Sequence, residues 1–407
     1  MRPGARQPEM RILFVAPKIP WPATDGGRIA IYELVRHLTE RGHQAAFLGF
    51  GSPQAADELR AHAGLMWAKA IPHDTATNPL SAFGNLFSPL PYTAAKYKSG
   101  AMSDAIRLAF QEELFDLVQL ENTHMAHYLG LVQQHNRPAV LRLHNVESLL
   151  AERYARTIAP PFSWYVALQA RRMFQFEVRA CEQASLCLAI TEEDAERVRR
   201  MAPDAQVAVS PAGVDLERFY PQPMSEEPGT VVSIASLNWP PNVDSMRWFR
   251  AEIWPRILKE EPTTRWIVVG KDPPTDILGW PEEDHSIAVT GFVDDVRPYL
   301  NRGSVVVVPL RSGGGMRLKI LEAMAAGKAV VSTPLGAEGI PARNGEEILL
   351  APPDRTFAAV VVRLLRQGAE RKRIGKAARA WVERYGWNRI AEALEREYST
   401  LLETRPR

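Results

Sequence analysis

Short apolar runs recur along the chain, and behind most of them apolar residues return at every third or fourth position. The first run covers residues 11–16. After it Ile31, Leu34, Val35 and Leu38 mark one face of a helix that opens at Gly26 and Gly27 and closes at Gly42, and a second run follows at 44–50. A continuous apolar run reads as a strand buried on both faces, and a helix between two such runs makes the strands parallel. The same reading predicts strands over 116–120, 139–143 and 186–190. A second series starts at Thr230, with strands predicted over 231–235, 266–270, 287–290, 305–308 and 329–332. Residues 219–230, rich in proline, glutamate and serine, read as the joint. A last helix is predicted over 388–402. The expectation is an α/β chain with two doubly wound domains, 11–220 and 221–385, a flexible N-terminus at 1–10 and a closing C-terminal helix at 386–407.

Composition narrows the classes. With 407 residues, hydrophobics at 46% and charged residues at 24%, the chain has ample material for two cores. A formal net charge of +2 lacks the basic excess of a nucleic-acid binder, so no nucleic-acid partner is expected. Cys181 and Cys187 make neither a disulfide framework nor a metal site and suit a reducing compartment. No apolar run approaches ~18 residues, and the N-terminus has arginines but no apolar segment, so the expected location is the cytoplasm. One local bias stands out: over 363–389 basic residues far outnumber the two acids, Glu370 and Glu383.

The most informative stretch follows the strand at 305–308. Gly313, Gly314 and Gly315 free the backbone to approach a ligand, Met316 follows, and Arg317 and Lys319 add two cations where a helix starts with unsatisfied N–H groups. These are the requirements for holding a diphosphate. Glu322 lies one to two turns farther on, at ~1.5 Å per residue roughly a ribose away, where a carboxylate can accept from two hydroxyls. Phosphate followed by ribose indicates a nucleotide. Leu318 occupies the position where a dinucleotide fingerprint requires glycine, which disfavours a nicotinamide enzyme.

Residues 313–325, G-G-G-M-R-L-K-I-L-E-A-M-A, resemble the C-terminal motif of the retaining glycosyltransferases of family 4. The resemblance is greatest to a branch associated with exopolysaccharide and cell-surface glycan synthesis, whose motif has threonine in place of Met316. The P-A-G-V-D-L-E-R-F-Y-P segment at 211–221, the Gly26-Gly27 turn and the closing Y-G-W helix follow in the family's order. The resemblance implies the GT-B fold, with two Rossmann-like domains facing a central cleft and the last helix crossing back to the N-terminal domain. The N-terminal domain would take the acceptor and the C-terminal domain a nucleotide-diphosphate sugar. His144, directly after the strand at 139–143, would reach the transferred sugar. The expected site is therefore His144, Arg317 and Lys319 for catalysis, and Gly26, Gly27, Gly313, Gly314, Gly315, Met316 and Glu322 for the donor.

Two positions depart from the family pattern. Gly314 stands where many members carry a second glutamate, and Leu237, in A-S-L-N-W-P-P-N-V-D, stands where many carry a phosphate-gripping arginine. No D-x-D occurs, so metal-independent transfer is expected, with no cofactor beyond the donor. His124 and His127 form H-x-x-H without a third ligand at useful spacing, which favours packing beside Met125 and Tyr128. Residues 163–179 mix Trp164, Tyr165, Leu168, Phe174 and Phe176 with Arg171, Arg172 and Arg179. This stretch reads either as a peripheral contact with the inner membrane face, joined by the cations beyond Arg363, or as a core-packed aromatic stripe. The functional expectation is sugar transfer to a saccharide or lipid-linked glycan acceptor. The alternatives are a nucleotide-sugar epimerase of the same fold or a non-catalytic nucleotide-sugar binding protein.

Overall fold

A computed structural model describes residues 9–156, 158–222 and 226–404. The chain divides into two compact units. One runs to Pro211 and takes back the segment from Trp387 onward, and the other spans Ala212–Gly386.

The first unit is built on β1 (Arg11–Ala16), β2 (Gln44–Phe50), β3 (Trp67–Ile71), β4 (Leu117–Glu121), β5 (Ala139–Leu143), β6 (Leu186–Ala189) and β7 (Val207–Val209), in the order β3-β2-β1-β4-β5-β6-β7. Every neighbouring pair is parallel. The second unit holds β8 (Thr230–Ile234), β9 (Arg265–Val269), β10 (Ile287–Val289), β11 (Val305–Val308), β12 (Ala329–Ser332) and β13 (Leu349–Leu350), ordered β10-β9-β8-β11-β12-β13 and again parallel throughout. β11 is four valines, all buried, between β8 and β12, as a strand covered on both faces requires. Each unit is an α/β doubly wound fold of the Rossmann type.

The expected strands are present with small shifts. The run at 116–120 becomes Leu117–Glu121, because the Asp116 carboxylate accepts from the Arg11 amide at 2.7 Å while the ladder continues to Glu121 opposite Arg142. β3, β7 and β13 were not expected. All three lie at a sheet edge; β7 and β13 are apolar but only three and two residues long, and Lys69 interrupts β3.

The boundary between the units also moves. Residues 212–220, expected in the first domain, belong to the second unit: the Val214 amide donates to the Tyr385 carbonyl at 2.8 Å and Val214 bridges to Gly386. Residues 223–225 of the expected joint lie outside the described residues, as do residues 1–8 of the N-terminus. Glu9 and Met10 are tied down, since Gln44 Nε2 donates to Glu9 Oε1 at 2.5 Å and the Met10 amide to His43 Nδ1 at 3.2 Å. Three of the cations from Arg363 onward form ion pairs within the second unit. Arg363 pairs with Glu370, Arg366 with Glu260 and Glu261, and Arg371 with Glu226.

The closing helix, Trp387–Glu403, packs on the first unit through Ile390, Ala391, Leu394, Tyr398 and Leu401, one helical face. Buried Glu395 on that helix accepts from the Arg41 guanidinium and faces His43 Nε2 at 3.2 Å. The Tyr398 hydroxyl donates to Gln119 Oε1 inside β4. Glu395→Ala leaves a buried imidazole and an arginine without their acceptor. It should lower unfolding stability by about 2–3 kcal/mol, seen in urea as a lower midpoint with an unchanged slope.

Candidate functional site

In the second unit the loop after β11 is shaped by two left-handed glycines. Gly313 has φ +110° and Gly315 φ +80°, and a Cβ at Gly313 would come within 2.8 Å of the Trp239 ring. The loop is fastened at three points to the segment that follows β8. Arg311 makes a two-pronged ion pair with Asp244 (2.7 and 3.1 Å), Trp239 covers Gly313, and Lys319 Nζ donates to Asn242 Oδ1 at 3.3 Å. Asn242 is held by donating to the Ser236 carbonyl at 2.8 Å. The helix Leu318–Ala325 then begins at Arg317 with no side chain capping its first turn.

The two cations are placed differently. Arg317 turns back into the loop, donates to the carbonyls of Gly314 and Gly315, and lies with its guanidinium carbon 5.8 Å from the centre of the Trp239 ring. It organises the loop, a role the sequence did not indicate. Lys319 keeps some exposure, yet the surrounding protein and then the charge of Arg317 push it down to about 7, against Glu322, which favours the ammonium. Burial likewise raises Glu322 to about 7, opposed by Arg218 and Lys319. The loop, an uncapped helix start, a lysine that readily loses its proton and a carboxylate thus lie within one turn and a half of helix. Leu237, in the place of the family's arginine, is buried in the core, and the side chain of the same segment that meets Lys319 is Asn242.

In the first unit Gly26 and Gly27 open the helix Gly26–Glu40, which Asp25 caps by accepting from the Arg28 amide at 2.9 Å. A Cβ at Gly27 would meet only ordinary contact at 3.5 Å, so this glycine is not forced by sterics. His144 leaves the carboxyl end of β5 and its Nε2 lies 2.6 Å from Glu121 Oε2, at the end of β4. A carboxylate only accepts, so the hydrogen sits on Nε2 and Nδ1 is the remaining ring nitrogen. Glu121 is fully buried. Burial alone would raise its pKa, but the Arg142 guanidinium at 3.5 Å and the hydrogen bonds from His144 and Gln119 outweigh this and hold it below the usual carboxylate value.

Around this pair stand further polar groups. Asn122, at φ +76°, accepts from the His124 amide and contacts the His124 ring, whose pKa burial lowers to about 4. His127 Nε2 meets the Ala94 carbonyl at 2.9 Å, and no group of three His, Cys, Asp or Glu among the described residues is arranged to hold a metal ion. Glu177 accepts from the amides of Glu147 (2.7 Å) and Ser148 (3.0 Å), while burial pushes it up to about 7. Sequence reasoning missed Glu121, Gln119, Asn242, Trp239 and Arg218. The first two had a signal, a carboxylate and an amide inside an otherwise apolar strand.

Both loci lie at the carboxyl ends of their own parallel strands, where ligands bind in open α/β sheets. Residues 24–218 match the family described as Glycosyltransferase Family 4, and residues 228–367 match Glycosyl transferases group 1. The chain belongs to the family 4 type of glycosyltransferases. An uncharacterized 44.6 kDa protein in the cps region of Klebsiella pneumoniae is 19% identical over 398 residues, 95% of this chain and 99% of that protein. A D-inositol 3-phosphate glycosyltransferase of Streptomyces bingchenggensis is 30% identical over 247 residues, so the match spans about half of each (53%). Among solved structures, Anabaena Alr3699/HepE in complex with UDP and glucose superposes with a TM-score of 0.69 at 15% identity, over 96% of this chain and 100% of that one. The shared fold is GT-B.

Glu121→Ala in this glycosyltransferase leaves the buried Arg142 guanidinium without its counter-charge. A loss of about 3–5 kcal/mol in unfolding stability is expected, read by denaturant titration. Gln in its place keeps an acceptor for His144 and should lose less.

Proposed function

We propose that the enzyme transfers a sugar from a nucleoside-diphosphate sugar to a saccharide or lipid-linked glycan acceptor, with retention and without a metal ion, in assembly of an exopolysaccharide or cell-surface glycan. The observation that carries the reading is the Gly313–Gly315 loop leading into an uncapped helix with Lys319 and Glu322 on its first turns. The amides and Lys319 suit a diphosphate, and Glu322 suits the ribose hydroxyls. The UDP and glucose bound to the Anabaena neighbour and the cps location of the Klebsiella relative support the donor class and the setting.

In the transfer the bond from the anomeric carbon to the diphosphate oxygen breaks and an acceptor oxygen takes its place. The acceptor's proton goes to the departing phosphate, so no protein nucleophile is required. Charge gathers on the leaving diphosphate, where Lys319 and the loop amides stabilise it more than they do the bound donor. Arg317 contributes by holding the loop carbonyls away from that charge. His144, with Nε2 fixed by Glu121, is assigned to turnover rather than to donor affinity. Gly314, in place of the family's glutamate, favours a second reading, a binding protein without turnover.

Calorimetry with UDP-, GDP-, dTDP- and ADP-sugars, with and without EDTA, tests the donor site. One nucleotide should bind tightly and independently of EDTA, and Glu322→Ala should weaken it by about 1.5–3 kcal/mol. Failure of all four to bind would remove the reading. Release of free nucleotide only when a glycan acceptor is added separates transfer from epimerisation and from binding alone.

The pH dependence follows from Lys319. Its pKa of about 7 in the free protein rises beside a diphosphate, so affinity is full at lower pH and falls, by up to about tenfold per unit, above about pH 7. Measured in Glu322→Gln, which removes the second titrating group, UDP binding should show this fall with proton uptake. Adding Lys319→Arg should flatten it.

A further inference from the structure

We propose that one corner of the first unit, formed by residues 79–87 and the first half of the helix Phe162–Gln183, docks on an anionic lipid bilayer. Six of the fourteen large hydrophobic side chains exposed among the described residues lie on these two segments: Leu80, Phe83, Phe87, Phe162, Trp164 and Leu168. Phe87 is 87% exposed, Leu80 82% and Trp164 71%, values ordinary for lysine and costly for aromatic and aliphatic groups left in water.

The two segments adjoin. The Tyr165 hydroxyl donates to the Ala82 carbonyl at 3.4 Å, and Arg172 donates to the carbonyls of Asn85 (2.9 Å) and Leu86 (2.8 Å). Gln169 Nε2 donates to Asn85 Oδ1 at 3.2 Å. Polar bonds therefore hold residues 79–87 through their backbone while their apolar side chains stay outside. The short helix Pro79–Gly84 buries none of its residues and exposes Leu80 and Phe83, and the 3-10 turn Asn85–Phe87 that follows exposes Phe87. Three large apolar side chains within eight residues thus face away from the core.

The aromatic stripe expected over 163–179 is thereby split. Phe176 turns inward against the core and packs tilted against His127, with ring centres 5.0 Å apart, and Tyr165 is committed to Ala82. Trp164, Leu168 and Arg171 remain on the outer face, and residues 79–87, absent from the sequence reading, complete it.

Charge decides the occupant. Across 79–100 and 158–176 the chain has four cations, Lys96, Lys98, Arg171 and Arg172, and no acid, and the Tyr92 amide joins the two stretches by donating to Gln169 Oε1 at 2.8 Å. Lys98 and Arg171 are exposed. A second copy related by a two-fold axis would bring these like charges together, whereas an anionic headgroup layer accepts both the cations and the aromatic side chains at its boundary. The proposal stands apart from the transfer reading, since none of these residues belongs to the donor loop or to the His144 cluster.

The test is co-sedimentation of the full chain with phosphatidylcholine vesicles and with vesicles containing phosphatidylglycerol, at low and high salt. The wild type should sediment with the anionic vesicles only, and less at high salt. Phe83→Ser with Phe87→Ser should reduce the bound fraction by about tenfold, and Arg171→Glu with Lys98→Glu should do the same, with circular dichroism unchanged in each. Wild-type protein left in the supernatant with anionic vesicles, or serine variants that bind like wild type, would overturn the proposal. So would a wild-type dimer in sedimentation velocity that the serine variants convert to monomer, because the surface would then be a self-contact.

Discussion

A parallel sheet brings the carboxyl ends of all its strands to one edge, and everything chemical in this chain depends on that constraint. In the first unit the exits of β4 and β5 deliver Glu121 and His144 side by side although 23 residues separate them. In the second, the exits of β8 and β11 bring the Trp239–Asn242 segment against the glycine loop from a distance of some seventy residues. Neither pairing is local, and neither needs long-range design beyond the sheet order. The crossover helices keep the strands parallel, and the sites follow.

Within that frame the buried Glu121 carboxylate has the largest electrostatic burden. It neutralises Arg142, fixes the His144 tautomer and receives Gln119 Nε2 at 2.5 Å, while Gln119 in turn accepts from Tyr398 on the closing helix. A charge in the core is tolerable only when such partners outweigh the loss of water. The result is a line of hydrogen bonds from the C-terminal helix to the histidine, so the return of that helix to the first unit bears on the site as well as on stability. Arg142 adds a second tie, donating to the Ala30 carbonyl of the helix that Gly26 and Gly27 begin.

The sequence was most legible where physics is local. Continuous valine and leucine runs gave the central strands to within a residue or so, and the glycines with Arg317, Lys319 and Glu322 marked a flexible loop entering a helix, because backbone freedom and charge at a helix start are properties of adjacent residues. It was least legible where an atom's role depends on a partner far along the chain. Arg317 was expected to face phosphate, but the loop carbonyls at 314 and 315 have no helical donors and capture its guanidinium instead. Edge strands β7 and β13 failed to show because three and two apolar residues are too few to read as a strand, and β3 because Lys69 interrupts it.

The difference between Arg317 and Lys319 bears on how such a loop works. A guanidinium is always charged, and using it to tie down carbonyls removes negative dipoles from the place where a diphosphate would sit. An ammonium displaced to about 7 is instead an adjustable charge, costing little to keep in the empty site because it can shed its proton, and regaining it when an anion arrives. The carboxylate of Glu322, raised to about the same value, completes a site that stays close to neutral when empty and can become polarised on binding. The two cations thus divide the work, Arg317 bonding the carbonyls of Gly314 and Gly315 and Lys319 keeping a titratable charge beside Glu322.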